Sequence, residues 1–209
     1  MSHLLHIAAS PRGPQSASLA IADAFLEAYR IAHPDDTIET WNLWDGSLPE
    51  FGPDAANAKM TVFAGDEPTG AQAAAWQAAN ETFRRFDAAD TYLFSVPMWN
   101  AGVPYILKQL IDVISQPGLL FTVDPHEGYT HLLAGRGKRA AVVYTSAVWG
   151  PKLGPEFGSD FQQPYLDDWL RWTGIADIRE VRFHPTLTGD YEAELACAQA
   201  DAREIGNTF

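Results

Sequence analysis

Two short stretches carry the residue types that could hold a small ligand. The first is Ser10-Pro11-Arg12-Gly13-Pro14-Gln15-Ser16-Ala17-Ser18. It offers three hydroxyls, one guanidinium and one glycine just before a segment with helical periodicity. At a helix start the first N–H groups lack intrahelical partners and the positive end of the helix dipole points outward. A phosphate is stabilised there without a lysine. Ser10, Ser16 and Ser18 would each add a hydroxyl donor, although a plain N-cap accounts for Ser16 equally well. The second stretch is Pro97-Met98-Trp99-Asn100-Ala101-Gly102-Val103-Pro104. A flat ring, an amide and a glycine that lets backbone come close suit a planar, hydrogen-bonding ligand. The flanking prolines keep the segment out of regular ladders.

Both stretches depend on the elements that carry them. Residues 91–96 (TYLFSV) are apolar without polar alternation, which predicts a central parallel strand covered on both faces. Four further runs predict strands over 3–9, 37–43, 140–145 and 177–184. Helical spacing predicts helices over 16–32, 70–87, 105–115, 160–173 and 190–206. Residues 46–69 read as irregular, with a short helical turn around 55–63. Residues 116–137 read as a long connection holding a small hairpin that turns at 124–128. Five strands, each followed by a helix, predict an α/β fold: one doubly wound domain over residues 1–209, with helices on both faces of a parallel sheet. No G-x-G-x-x-G follows the first strand, so a two-half dinucleotide fold is disfavoured. The flavodoxin-like order 2-1-3-4-5 needs no such motif. It binds a mononucleotide where strands one and three diverge, at the carboxyl ends of the strands, and both stretches would lie there.

Composition narrows the possibilities. The chain has 209 residues, enough for one domain with a substantial core. A net charge of −13 argues against nucleic acid or an anionic membrane as a partner. No apolar run reaches the ~20 residues of a membrane span. The apolar start MSHLLHIAAS is too short for a signal peptide and reads as the first strand. The single cysteine, Cys197, excludes an internal disulfide and fits a cytoplasmic address. It reads as a small apolar filler in an Ala-rich helix. The six histidines show no metal-ligand spacing, and none is assigned to a metal. Trp41 and Trp44, at the end of the second strand, read as core or dimer-interface residues rather than ligand contacts. No G-x-S-x-G supports a serine hydrolase.

The combination Ser10-x5-Ser16-x-Ser18, Pro97-Met98-Trp99-Asn100 followed by Pro104-x3-Lys108-x3-Asp112, and Thr145-Ser146 resembles the FMN-dependent NADH-azoreductases, flavodoxin-like homodimers that also reduce quinones. The likeness runs from residue 4 to about 200. It implies a bound FMN, NADH or NADPH as electron donor, a quinone or azo acceptor, and a homodimer. By the same resemblance, Ser10, Ser16, Ala17 and Ser18 would hold the FMN phosphate. Pro97, Met98, Trp99, Asn100 and Ala101 would line the flavin, with Ala101 standing where the family usually has Phe. Ser146, Ala147 and Val148 would form a second flavin-lining loop, where the family typically has Ser-Arg-Gly-Gly and only the Ser is retained. Gly150 is the nearest glycine that could replace those lost. Phe121, His126, Trp149 and Trp169 would border the substrate pocket. The resemblance implies ping-pong two-electron transfer with the flavin doing the chemistry, and no side chain is assigned a catalytic role. Two other readings stay open on the residues themselves: an FMN electron carrier, and a binding module that keeps the fold without FMN.

Overall fold

The computed structural model describes residues 1–209. Five strands form one parallel sheet: β1 (His3–Ala8), β2 (Thr37–Asn42), β3 (Thr91–Pro97), β6 (Arg139–Thr145) and β7 (Asp177–Phe183). Their order is β2-β1-β3-β6-β7. With the two strands of a separate hairpin, β4 (Phe121–Asp124) and β5 (Gly128–His131), counted apart, this is the expected 2-1-3-4-5. Six helices complete the chain: α1 (Ala17–Ala32), α2 (Pro53–Phe63), α3 (Gly70–Asp87), α4 (Tyr105–Ile114), α5 (Gln163–Thr173) and α6 (Tyr191–Thr208).

Alternation along the central strands explains why they are apolar throughout. Leu5, Ile7, Tyr92, Phe94, Val96, Ala140, Val142 and Tyr144 pack on one face with α3, α4 and α5. Leu4, Leu93, Ala141 and Val143 point to the other face and pack with α1 and α6. Successive strand side chains face opposite ways, so a strand covered twice needs apolar residues at every position. On the second face α1 and α6 come unusually close. A Cβ at Gly206 would stand 2.5 Å from the Phe25 carbonyl oxygen, so only glycine fits there. On the first face, the Tyr144 hydroxyl donates to buried Asp167 Oδ1 at 2.7 Å and pins α5 to β6.

The structure departs from expectation at three places. Residues 53–63 form a full helix, with Pro53 in its first turn and Asp54 at its positive end. The fourth crossover helix starts at Gln163 rather than 160, because Asp160 holds a turn ahead of it by accepting the Gln162 and Gln163 N–H groups. Cys197 is exposed rather than packed as filler.

Candidate functional site

The sheet register brings three turns to one rim. The Ala9 N–H donates to the Ser95 carbonyl at 3.1 Å, and the Leu43 N–H to the Ala8 carbonyl at 3.1 Å. The Met98 N–H donates to the Thr145 carbonyl at 2.7 Å. Chain leaving β1, β2, β3 and β6 therefore emerges together at the carboxyl edge, where parallel sheets place their ligand sites. The turns 10–18, 97–102 and 146–149 are neighbours.

The first turn gathers hydroxyls and backbone donors at a helix start. A short 3₁₀ segment at Gly13–Gln15, with Gly13 at φ 53°, delivers Ser16 to the N-cap of α1. Ser16 Oγ accepts the Leu19 N–H at 3.4 Å and lies 3.1 Å from Ser18 Oγ. Ser10 Oγ accepts the Arg12 N–H at 3.4 Å. Ser10, Ser16 and Ser18 are only 4%, 4% and 0% exposed, so their hydroxyls belong to the turn's interior. The N–H groups of Ala17 and Ser18 are first-turn donors without intrahelical partners. No carboxylate occupies that turn to compete with an anion.

The second turn is tighter than its sequence suggests. Trp99 and Gly102 exchange both backbone hydrogen bonds at 2.9 Å, enclosing Asn100 at φ 49° and Ala101 at φ 68°. Positive φ at both central residues is the type I′ hairpin turn, which prefers Asn first and Gly second. Asn100 obeys that preference. Ala101 does not, and left-handed backbone costs a residue with a Cβ roughly 1–2 kcal/mol. The Asn100 amide stands exposed at the tip.

The third turn holds its shape through Ser146, whose buried Oγ accepts the Trp149 N–H at 3.1 Å. Ser146, Ala147, Val148 and Trp149 share a cavity of about 210 Å³ with Met98, Asn100 and Ala101. Gly150 does not line it. A Cβ there would approach Pro185 Cδ at 2.8 Å, so this glycine serves the contact with Pro185.

On the other side of the aromatic turn lies a larger cavity of about 750 Å³. Trp99, Asn100, Tyr105, Phe161 and Tyr165 line it, with the Lys108–Asp112 ion pair at 2.6 Å on its wall. Tyr165 has its phenol pushed up to about 12, first by burial and then by the Asp112 carboxylate. The segment carrying Phe161 is stitched across the turn. The Phe161 N–H donates to the Ala101 carbonyl at 2.8 Å, and buried Gln162 Nε2 donates to the Val96 carbonyl at 2.8 Å. Asn100 borders both cavities. Below the rim, His6 Nε2 lies 2.9 Å from Ser95 Oγ. Burial, then the charge of Arg30, lowers this imidazole to about 4, so it is neutral at physiological pH.

Among the residues expected around a substrate pocket, only Trp149 borders these cavities. Phe121 is buried, with its ring centroid 5.2 Å from Trp172 and 5.3 Å from Tyr129. It roots the β4–β5 hairpin in the core. Trp169 is buried against Phe86, and its Nε1 donates to Ser115 Oγ at 3.0 Å. His126 sits exposed at the hairpin tip, where Asp124 Oδ1 accepts its backbone N–H at 2.8 Å. A buried ring holding a hairpin and a ring facing a ligand look alike in sequence. Tyr105, Phe161 and Tyr165 were not anticipated. The one available signal was their position: Tyr105 follows Pro104 directly, and the other two lie at the start of a helix that must pack beside β3.

A family model described as a flavodoxin-like fold matches residues 2–205. A protein of Ruegeria pomeroyi, named FMN-dependent NADH:quinone oxidoreductase, is 43% identical over 205 residues, covering 96% of this chain and 100% of the relative. A protein of the same name from Nitratidesulfovibrio vulgaris is 40% identical over 212 residues, with 100% of both chains covered. Among solved structures, an azoreductase from Bacillus anthracis superposes with a TM-score of 0.89 at 26% identity, covering 100% of both chains. An FMN-dependent NADH-azoreductase from the same species, solved in complex with FMN, gives 0.88 at 26% identity, covering 100% of this chain and 99% of the other. Full-length matches of this kind, on a rim built from three ligand-ready turns, place the chain in the flavodoxin-like family of FMN-dependent NADH:quinone oxidoreductases and azoreductases.

Proposed function

We propose that the chain binds FMN across this rim and uses NADH or NADPH to reduce quinones and azo compounds. The observation that carries this reading is the juxtaposition of a donor-rich helix start with an aromatic turn, set by the β1–β3 and β3–β6 pairing. The residues present fit the cofactor. Three buried hydroxyls and the free N–H groups of Ala17 and Ser18 match the acceptor oxygens of a phosphate, at a helix end that favours negative charge. Ser10, Ser16, Ala17 and Ser18 would hold the phosphate. Pro97, Met98, Trp99, Asn100 and Ala101 on one side, and Ser146, Ala147 and Val148 on the other, would hold the ring. Bound FMN supplies two-electron chemistry, taking a hydride from a reduced nicotinamide and delivering it to an acceptor.

The chain's own part is binding, orientation and shelter from water. The exposed amide of Asn100 can hydrogen-bond the edge of a flat ring, and its left-handed backbone holds it at the tip of the turn. The 750 Å³ cavity, walled by Trp99, Tyr105, Phe161 and Tyr165, suits a flat aromatic molecule. Tyr165 keeps its proton at neutral pH and so acts there as a hydrogen-bond donor. Lys108 is compensated by Asp112, and Glu50 leaves the wall with one net negative charge. One site beside the bound flavin, occupied in turn by nicotinamide and acceptor, leads to ping-pong kinetics.

A homodimer accords with Tyr105 and Phe161, which stand 62% and 66% exposed at the cavity mouth. Large apolar side chains grouped around a site mark an interaction surface. No helix is long and apolar enough to cross a membrane. The strongly acidic surface accords with small-molecule rather than nucleic-acid partners, and the single cysteine with a cytoplasmic setting.

The test is FMN titration of the purified chain, followed by NADH oxidation with a quinone such as menadione. Tight FMN binding and sustained, quinone-dependent turnover are expected. Bound FMN without turnover would make the chain a carrier. Failure to bind FMN would leave the binding-module reading.

A further inference from the structure

We propose that Trp44 is a positioning residue that couples the phosphate-binding turn to the aromatic turn, an inference that rests on the rim being an FMN site. Trp44 follows β2 and is held at its backbone, where Asn42 Oδ1 accepts its N–H at 3.1 Å. Its indole Nε1 donates to the Ala9 carbonyl at 3.0 Å, one residue before Ser10. The same ring lies 5.6 Å from Trp99, tilted by 42°, and 5.2 Å from Tyr105, nearly edge-on at 82°. One side chain is thus hydrogen-bonded to the first turn and packed against the second.

Its surroundings separate it from an ordinary core tryptophan. Trp41, three residues earlier, is 2% exposed, donates to Ser47 Oγ and lies beneath Arg85, contacting neither turn. Trp44 is only partly buried. Its ring forms a wall of a cavity of about 560 Å³ beneath the phosphate turn, lined also by Ser10, Pro11 and Gly13. Trp99 and Tyr105, the rings it touches, line the 750 Å³ cavity. Trp44 thus lines the first cavity and packs against two rings of the second. The indole N–H fixes the Ala9 carbonyl and with it the start of the phosphate turn. The indole face backs Trp99 and so sets the wall against which a flat acceptor stacks. Aromatic pairs at such centroid separations favour offset or edge-to-face geometry over a face-to-face sandwich.

The two roles separate by substitution. Trp44→Phe keeps most of the ring but removes the N–H. Loss of one hydrogen bond should weaken FMN binding about three- to tenfold. Riboflavin lacks the phosphate, so its binding should stay within twofold, and the preference for FMN over riboflavin should fall accordingly. The menadione KM of Trp44→Phe, measured with saturating FMN, should rise less than that of Trp44→Ala. Trp44→Ala removes the ring as well, and menadione KM should then rise several-fold beyond any change in kcat. Flavin binding is read by fluorescence quenching and folding by thermal unfolding of the flavin-free chain. A purely structural tryptophan would lower the melting temperature and weaken both flavins alike, and that result overturns the proposal. So does an unchanged FMN preference in Trp44→Phe, which is decisive even if Trp44→Ala does not fold. Wild-type chain that binds no FMN would overturn the rim reading itself. Wild-type chain that binds FMN while Trp44→Phe keeps its preference would overturn only the role of Trp44.

Discussion

Ser16 separates a structural role from a ligand-binding one, because it caps α1 and also stands where the phosphate would bind. Its Oγ accepts the Leu19 N–H at 3.4 Å and contacts Ser18 Oγ at 3.1 Å. Replacing an N-cap serine by alanine costs about 1 kcal/mol. For a chain of 209 residues that lowers the melting temperature by about 2–4 °C. If the hydroxyl also serves a phosphate, Ser16→Ala loses a hydrogen bond to a charged group, worth about 1.5–3 kcal/mol. FMN affinity should then fall about ten- to a hundredfold. Ser16→Asp pulls the two effects apart. Aspartate caps as well as serine, so stability should return. Its carboxylate would also lie roughly 4 Å from the phosphate, a repulsion of about 4 kcal/mol per unit charge at an effective dielectric of about 20. FMN affinity should therefore fall beyond that of Ser16→Ala while the flavin-free chain melts above Ser16→Ala. Thermal unfolding without flavin and FMN titration by fluorescence supply both readings. If both variants bind FMN within twofold of wild type, Ser16 is a cap and nothing more, and the phosphate does not bind here.

Further expectations concern the neighbouring turns and the groups beneath them. At Ala101, glycine removes the left-handed strain but gives freedom back to the unfolded chain, so Ala101→Gly should be neutral to stabilising by up to ~1 kcal/mol. Ala101→Val should cost about 1–2 kcal/mol or more in urea unfolding; the reverse order would contradict the type I′ assignment. Gln162→Ala strips the buried Val96 carbonyl of its amide donor, which should cost about 1–3 kcal/mol and raise menadione KM as Phe161 loosens. Unchanged stability and KM would show that this stitch is idle. His6 titrates at about 4 in the folded chain against an ordinary 6.5, so between those values the unfolded chain holds a proton that the folded chain does not. Stability should fall by about 1.4 kcal/mol per pH unit as pH drops through that window. His6→Gln should remove that dependence. Glu180, pushed up by burial, opposes it but is present in both chains, so the difference between their stability curves isolates His6. Parallel curves would contradict its burial as a neutral ring.

The sheet was legible because its central strands are apolar on both faces, a pattern that helices packed on each side demand. The order of the strands followed from the absence of a dinucleotide motif together with the crossover rule. Helix α2 was not, since its stretch mixes Ala with polar residues and shows little apolar periodicity; Pro53 followed by Asp54 was the available sign of its start. The donor-rich turn before α1 could be read because a helix start advertises itself through capping residues. The walls of the large cavity could not. Trp44, Phe121, Trp169 and Phe161 are all large aromatics, and sequence does not distinguish a ring pinned under a helix from one facing a cavity. Only the geometry put Phe121 and Trp169 in the core and brought Trp44 to the rim. The conformation of Ala101 was equally hidden, because alanine carries no turn signal and adopts left-handed backbone only when the surrounding bridge imposes it.

The most direct trial of the central claim is the visible spectrum of the purified chain, reconstituted with FMN and kept free of oxygen. One site serving donor and acceptor in turn requires that NADH bleach the yellow band and that a stoichiometric quinone restore it. A chain that stays colourless after reconstitution, or a yellow one that NADH leaves unchanged, would contradict the account.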